Sequence, residues 1–307
     1  MKLIRWPNLV FIALTQVMFS YCVIQPLFKQ ANVASNIHGL YFLYMVLTYV
    51  LIAAAGYIIN DYFDLNIDQV NKPHKVVVAR IISRRWVLLW HILLSVVSIC
   101  FSFYIDFNAN NTKVAGVSAA ICVVLLFLYS ASLKKKFLIG NVMVAAITAW
   151  VIVVLTWCEA NHFVLLVKYQ TGINQKKLLA LTVLYTGFAF VISLIREVVK
   201  DMEDVDGDRR YGCKTMPIVW GINATKVFVA VWLIVLIAVL SIAQFYVIQF
   251  GWWLSIGYCF LLIVAPLIWI FKQLFKAQSS KDFNRLSTAI KMVMFTGILS
   301  MVFFLYY

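Results

Sequence analysis

Nine apolar runs, each of about 18 to 22 residues, follow one another along the chain, and each is long enough to cross the hydrocarbon core of a bilayer as a helix. They lie near Leu9 to Leu27, Leu40 to Ile59, Trp86 to Ile105, Val114 to Leu133, Phe137 to Cys158, Leu178 to Ile195, Val227 to Ile248, Trp252 to Phe271 and Leu286 to Tyr306. Few folds are open to such a chain, because in lipid every backbone N–H and C=O must be paired within its own helix or around a closed barrel. The runs predict an all-α integral membrane protein, a bundle of nine transmembrane helices. With 64% hydrophobic and 12% charged residues, soluble, disordered and fibrous classes are excluded. The first run follows Lys2 and Arg5 but is too long for a signal h-region and no small-residue cleavage site follows it, so it reads as a span. No Pro/Ser-rich linker or low-complexity tract divides the chain, and residues 1–307 read as a single polytopic membrane domain.

The net charge of +14 has no polar domain to carry it, so it marks membrane orientation and not nucleic-acid binding. If nine spans alternate, 21 of the 26 Lys and Arg residues fall on the side of the N-terminus and the even-numbered loops. That bias places the N-terminus and those loops in the cytoplasm and the chain in a cytoplasmic or cell inner membrane. The six cysteines show no CxxC spacing and five fall in apolar runs, which reads as reduced core residues.

Of the twelve acidic residues, nine fall in two short segments, Asp61 to Asp68 and Glu197 to Asp208, each just after an apolar span. If the second span continues as helix, Asn60, Asp64 and Asp68 lie at about 0°, 40° and 80° around it, one stripe with Asp61 beside it. By the same geometry Asp201, Asp204 and Asp208 lie within about 60° of one another. Spans two and six differ by four crossings, so both stripes end on one side of the membrane, predicted to be the cytoplasm.

Carboxylates crowded at this spacing repel one another and need a cationic partner. Salt-bridged helix ends built with Lys200, Arg209 and Arg210 are one solution. A divalent metal is the other: all-oxygen donors and no nearby cysteine point to hard Mg²⁺, which usually bridges a few carboxylates to substrate phosphates. Lys72, Lys75, Lys134 and Lys214 lie close to the acidic segments in sequence and are candidates to hold the outer oxygens of a diphosphate. A diphosphate held above an apolar bundle implies a ligand with a polar head and a greasy tail, such as an isoprenyl diphosphate. Its metal-assisted departure leaves an allylic cation that needs charge stabilisation and exclusion of water, not a nucleophilic side chain. Tyr57, Tyr62, Phe63, Tyr129 and Tyr185 are candidate rings for facing that cation.

These motifs resemble those of the UbiA superfamily of intramembrane prenyltransferases. Asn60-Asp61-x-x-Asp64-x-x-x-Asp68 followed by Val70-Asn71-Lys72-Pro73 is similar to the family's first aspartate-rich motif, and Asp204-x-x-x-Asp208-x-x-x-Gly212-x-Lys214-Thr215 to its second. Arg5-Trp6-Pro7-Asn8 resembles the opening of many members, and Tyr129-Ser130-x-x-Leu133-Lys134 with Gly140-Asn141 resembles their span-four to span-five junction. The resemblance implies that Asn60, Asp64, Asp68, Asp204 and Asp208 hold Mg²⁺ with Asp61 and Asp201 in support, that Asp64, Asp68, Asp204 and Asp208 are the catalytic carboxylates, and that Lys72, Lys134 and Lys214 contact diphosphate. Where many relatives carry an Arg-Pro-x-Pro-Ser-Gly-like stretch, this chain has Lys75-Val76-Val77-Val78-Ala79-Arg80.

The run from Arg196 to Asp208, ending in Thr215-Met216-Pro217-Ile218, looks most like the branch that transfers a geranylgeranyl group to geranylgeranylglyceryl phosphate. An aromatic acceptor of quinone-type biosynthesis is the alternative. Arg5 and Asn8 lie outside both stripes and are candidates to bind the acceptor. An ion-coupled transporter is a rival from another class, but transporters place charged groups near the bilayer midplane, not at the ends of spans on one side. A membrane scaffold with no activity does not explain nine of twelve acids in two places.

Overall fold

The computed structural model describes residues 5–71, 82–110, 113–159 and 175–306. Nine helices among them are long and apolar enough to cross a membrane: α1 (Trp6–Gln30), α2 (Gly39–Phe63), α4 (Arg84–Ala109), α5 (Val114–Ala131), α6 (Ile139–Cys158), α7 (Gln175–Glu203), α10 (Ile222–Ile248), α11 (Trp253–Lys276) and α12 (Ser280–Leu305). Among the described residues there are also three short α-helices, α3 (Leu65–Asn71), α8 (Val205–Arg210) and α9 (Met216–Val219), and a 3-10 turn at Leu133–Lys135. The predicted all-α bundle of nine spans is therefore present, with some helix ends running past the apolar runs, as Glu203 does past Ile195, and others stopping one or two residues short, as Ala131 does before Leu133.

The chain divides into two compact units, Met1–Leu133 with Ile147–Thr186, and Lys134–Ala146 with Gly187–Tyr307. In the first, α2 is the most enclosed span. Small residues let its neighbours approach: a Cβ on Gly56 would stand 2.9 Å from Leu126 of α5. His91 of α4 bonds the Ala55 carbonyl at 3.1 Å, and Tyr49 bonds Ser118 of α5 at 3.0 Å. In the second unit the core is a continuous apolar cluster that includes Ile195, Val199, Leu233, Leu267 and Ile290.

Three spans contain π-turns, Ser20–Ile24 in α1, Asp106–Asn110 at the end of α4 and Phe260–Val264 in α11; the first and the last are followed directly by a turn containing proline, Pro26 or Pro266. Proline has no N–H to donate and its ring crowds the carbonyl four residues back. A local i→i+5 turn relieves both while the helix continues. All six cysteines are free thiols; five are buried as expected, whereas Cys100 is exposed on α4.

The three acids outside the two segments are structural. Asp106 accepts from the Ala115 and Gly116 N–H groups at 3.1 and 2.7 Å and so caps the start of α5. Glu159, 1% exposed, accepts from Ser35 Oγ and the N–H groups of Asn36 and Ile37 at 2.6 to 3.0 Å. Asp282 forms a capping box with Ser279 at the start of α12.

Candidate active site

The stripes drawn on continuous helices do not survive. Both spans break at an aspartate. α2 ends at Phe63, Asp64 forms the bend, and α3 begins at Leu65. α7 ends at Glu203, Asp204 forms the bend, and α8 begins at Val205. Each bend keeps the last helical bond, with Asp64 N–H on the Asn60 carbonyl and Asp204 N–H on the Lys200 carbonyl, both 2.9 Å. The φ, ψ values are −87°, −1° at Asp64 and −99°, 8° at Asp204, in the bridge region that turns and active-site residues often occupy.

At the first break Asn60 Nδ2 donates to Asp64 Oδ2 at 2.7 Å. Arg5 Nη2 donates to Asp61 Oδ1 at 2.7 Å, with side chains 37% and 16% exposed, and its guanidinium lies 5.3 Å from the centre of the Tyr57 ring. Arg5 holds a left-handed conformation, φ 47°, at the start of α1. An L-residue resists that by about 1–2 kcal/mol. It belongs with the first motif and not outside both, as its place in the sequence implied. Asn8 stands in the first turn of α1, its N–H on the Arg5 carbonyl at 2.8 Å. Leu65 packs with Ile58 and Val87 in a small apolar cluster that anchors α3 beside the break. The Asp68 side chain, and Lys72 and Lys75 entirely, lie outside the described residues.

At the second break Asn141 Nδ2, from the start of α6, donates to Asp201 Oδ2 at 2.8 Å. Glu197 takes Arg196 at 2.9 Å and Lys200 at 3.3 Å, so salt-bridged neutralisation is real for this carboxylate, as it is for Asp61 at the first break. From α12, Ser280 Oγ donates to the Glu203 carbonyl at 3.0 Å and Asn284 Nδ2 to Glu203 Oε1 at 2.8 Å, which pins the residue just before Asp204.

α8 closes with a Schellman turn, the Cys213 N–H on the Asp208 carbonyl at 3.0 Å and the Gly212 N–H on the Arg209 carbonyl at 3.3 Å. Gly212, φ 70°, supplies the left-handed residue this turn requires. The chain then returns to the turn after α5, where Lys214 N–H bonds the Lys135 carbonyl at 2.7 Å. Lys134 is half-buried in that turn and the Lys214 side chain is exposed. Asn141, Ser280 and Asn284 were not among the predicted site residues. Ser280 and Asn284 share an i, i+4 spacing at the start of the ninth span, at the membrane end where the sixth span finishes, and that was their signal.

Four of the five rings predicted to face a carbocation, Tyr57, Tyr62, Phe63 and Tyr185, are already engaged. Arg5 covers Tyr57, Arg84 lies 6.0 Å from the Tyr62 ring, Tyr62 and Phe63 pack edge to face, and Tyr185 packs against Phe19.

Both breaks offer oxygen donors only, the set that suits a hard cation. Among the described residues no three His, Cys, Asp or Glu side chains are gathered closely enough to hold a metal on protein ligands alone. That fits an ion shared between a few carboxylates and a ligand's oxygens, and not a closed cage.

Residues 27–299 match the UbiA prenyltransferase family. The chain belongs to that family. It is a multi-pass membrane enzyme and a prenyltransferase. One relative, the digeranylgeranylglyceryl phosphate synthase of Thermococcus sibiricus, is 30% identical over 246 residues, 80% of this chain and 78% of that protein. The apo structure of a UbiA homolog from Aeropyrum pernix K1 superposes with a TM-score of 0.67 at 15% identity, over 95% of this chain and 97% of that one. A UbiA homolog from Archaeoglobus fulgidus, solved with DMAPP and Mg²⁺, superposes with a TM-score of 0.57 at 14% identity, over 98% of both chains. At such identities the two structures speak to the fold.

Proposed function

We propose that the chain acts as one membrane domain that transfers a polyprenyl group, geranylgeranyl by preference, from its diphosphate to geranylgeranylglyceryl phosphate in a Mg²⁺-dependent reaction. The observation that carries the proposal is the pair of matched helix breaks, each placing an aspartate in a bridge conformation at the end of an apolar span. The name of the Thermococcus sibiricus relative supports the acceptor, and the ligands of the Archaeoglobus fulgidus homolog support the donor and the metal.

In this reading Asp64, Asp68, Asp204 and Asp208 hold Mg²⁺, with Asn60, Asp61 and Asp201 beside them. Bound there, Mg²⁺ neutralises the charge that builds on the departing diphosphate. The chain's own residues do the rest. Asn60 orients Asp64, Arg5 and Asn141 hold Asp61 and Asp201, and Lys72, Lys75, Lys134 and Lys214 steady the outer phosphate oxygens. The spans below take the tail and exclude water from the allylic cation. The donor's C1–O bond breaks with its electron pair on the diphosphate, the acceptor oxygen bonds to C1, and the acceptor's proton leaves with the diphosphate. The Lys and Arg bias puts these events at the cytoplasmic face; labelling of Lys135→Cys from the opposite side only would overturn that orientation.

The test is product identification. Detergent-purified protein is incubated with Mg²⁺, radiolabelled prenyl diphosphates of several lengths, and glyceryl-phosphate and phenolic acceptors. The expected product is digeranylgeranylglyceryl phosphate. A neutral aromatic acceptor that outperforms every phosphate-bearing one would replace this assignment with quinone-type biosynthesis.

A further inference from the structure

We propose that the turn between α11 and α12 forms a peripheral anion site that takes the phosphate of an anionic phospholipid headgroup. The turn encloses a cavity of about 300 Å³ lined by Trp269, Gln273 and Lys276 of α11 and by Asp282 and Arg285 of α12. Ser280 and Asn284, at the start of α12, reach Glu203, so the cavity lies at the membrane end of the second motif. It faces elsewhere, however. At 100° per residue the α12 positions that hold Glu203 and those that line the cavity point about 150° apart. The cavity therefore opens away from the reaction, beside an indole, Trp269, that is 48% exposed.

The charges are arranged for an anion. Asp282 is committed to the cap, its Oδ2 accepting from the Gln278 and Ser279 N–H groups at 3.2 and 3.0 Å and from Ser279 Oγ at 2.8 Å. Its charge faces the positive end of α12 and Arg285, and with Lys276 and Arg285 both cationic the lining keeps an excess of one positive charge, two cations against one carboxylate. The frame is rigid: Lys226, 7% exposed, donates to the Ala277 carbonyl and lies 5.8 Å from the Phe283 ring. A guanidinium, an ammonium and a side-chain amide around a preformed hollow suit a phosphodiester, and an inorganic phosphate shares that chemistry.

Native mass spectrometry of the full chain in nonionic detergent tests the site, with phosphatidylglycerol, phosphatidylcholine and inorganic phosphate as probes. Wild type should retain phosphatidylglycerol. The Lys276→Gln/Arg285→Gln double variant should retain it about 30-fold less, at roughly fivefold per cation. Phosphatidylcholine retention should not change, and Lys276→Arg/Arg285→Lys should restore binding, which separates loss of charge from loss of fold. Equal phosphatidylglycerol retention by wild type and double variant would overturn the proposal. So would complete displacement of the lipid by millimolar inorganic phosphate, or a raised acceptor KM in the double variant with phosphatidylglycerol retention intact.

Discussion

Residues 60, 61, 64 and 68 and residues 200, 201, 204 and 208 share one spacing, and at both places a span ends, bends at its aspartate and restarts as a short helix. The supports differ. In the first region the carboxylate three residues before the bend is held by a cation from a distant part of the chain, Arg5 on Asp61, in a pair open to solvent at one end. In the second the equivalent carboxylate, Asp201, is held by a neutral amide, Asn141, only 8% exposed, while the nearby cations gather on Glu197. Spacing and bend are thus common to the two regions, whereas what steadies the neighbouring carboxylate differs with how wet each end is. An exposed ion pair contributes about 0.2–1 kcal/mol. A hydrogen bond to a charged group out of water contributes about 1.5–3 kcal/mol.

The strongest way to break the likeness is to disable the bends one at a time. Asp64→Asn and Asp204→Asn should each lower turnover by at least about 100-fold, the scale of losing one preorganised electrostatic contact, with the protein still folded. EDTA should do the same to wild type. Steady-state rates beside a circular-dichroism melt check this, and full activity in either variant would show that one of the two breaks is ornamental.

The difference in supports is sharpened next. Asn141→Ala should raise the Mg²⁺ concentration for half-maximal activity by about tenfold, because Asp201 keeps its like-charged neighbours and loses its donor. The effect should persist in high salt. Arg5→Ala should cost about threefold, and wild type and variant should converge near 1 M NaCl as the half-exposed pair is screened. Michaelis constants for both substrates decide the role of Arg5. A rise confined to the acceptor would return it to acceptor binding, and a rise for the donor keeps it with Asp61.

Much of this was legible in the sequence. Apolar runs of spanning length leave the backbone one solution, so nine helices and their order follow from patterning alone. The crowding of nine of twelve acids into two segments located both acidic motifs. What patterning missed was local and non-local at once. Periodicity says which side of a helix Asn60, Asp64 and Asp68 share, but not that the helix stops at Asp64, since Leu65 turns into an apolar cluster with Val87 that no nearby residue announces. The partners Arg5 to Asp61 and Asn141 to Asp201 are separated by 56 and 60 residues, and only the folded bundle brings them together. Pro26 and Pro266 marked their π-turns in plain view.

The smallest expected effect concerns how the second region finishes. Its short helix closes on Gly212 at φ 70°, through the paired bonds from Cys213 and Gly212 to Asp208 and Arg209. A Cβ there meets no neighbouring atom within 4 Å, so the penalty of Gly212→Ala is conformational and not steric contact with the rest of the fold. It should be about 1 kcal/mol, with an unfolding midpoint lower by about 2 °C. Gly212→Asn should lose less than Ala, because asparagine tolerates the left-handed region. Since Asp208 sits in the third-last position of that helix and is fixed mainly by the Asp204 end, at 3.2 Å, turnover should fall by less than about threefold. A melt in which Ala matches or exceeds glycine would show that the turn opens in solution, and the second break would then be as loosely finished as an ordinary fraying helix end.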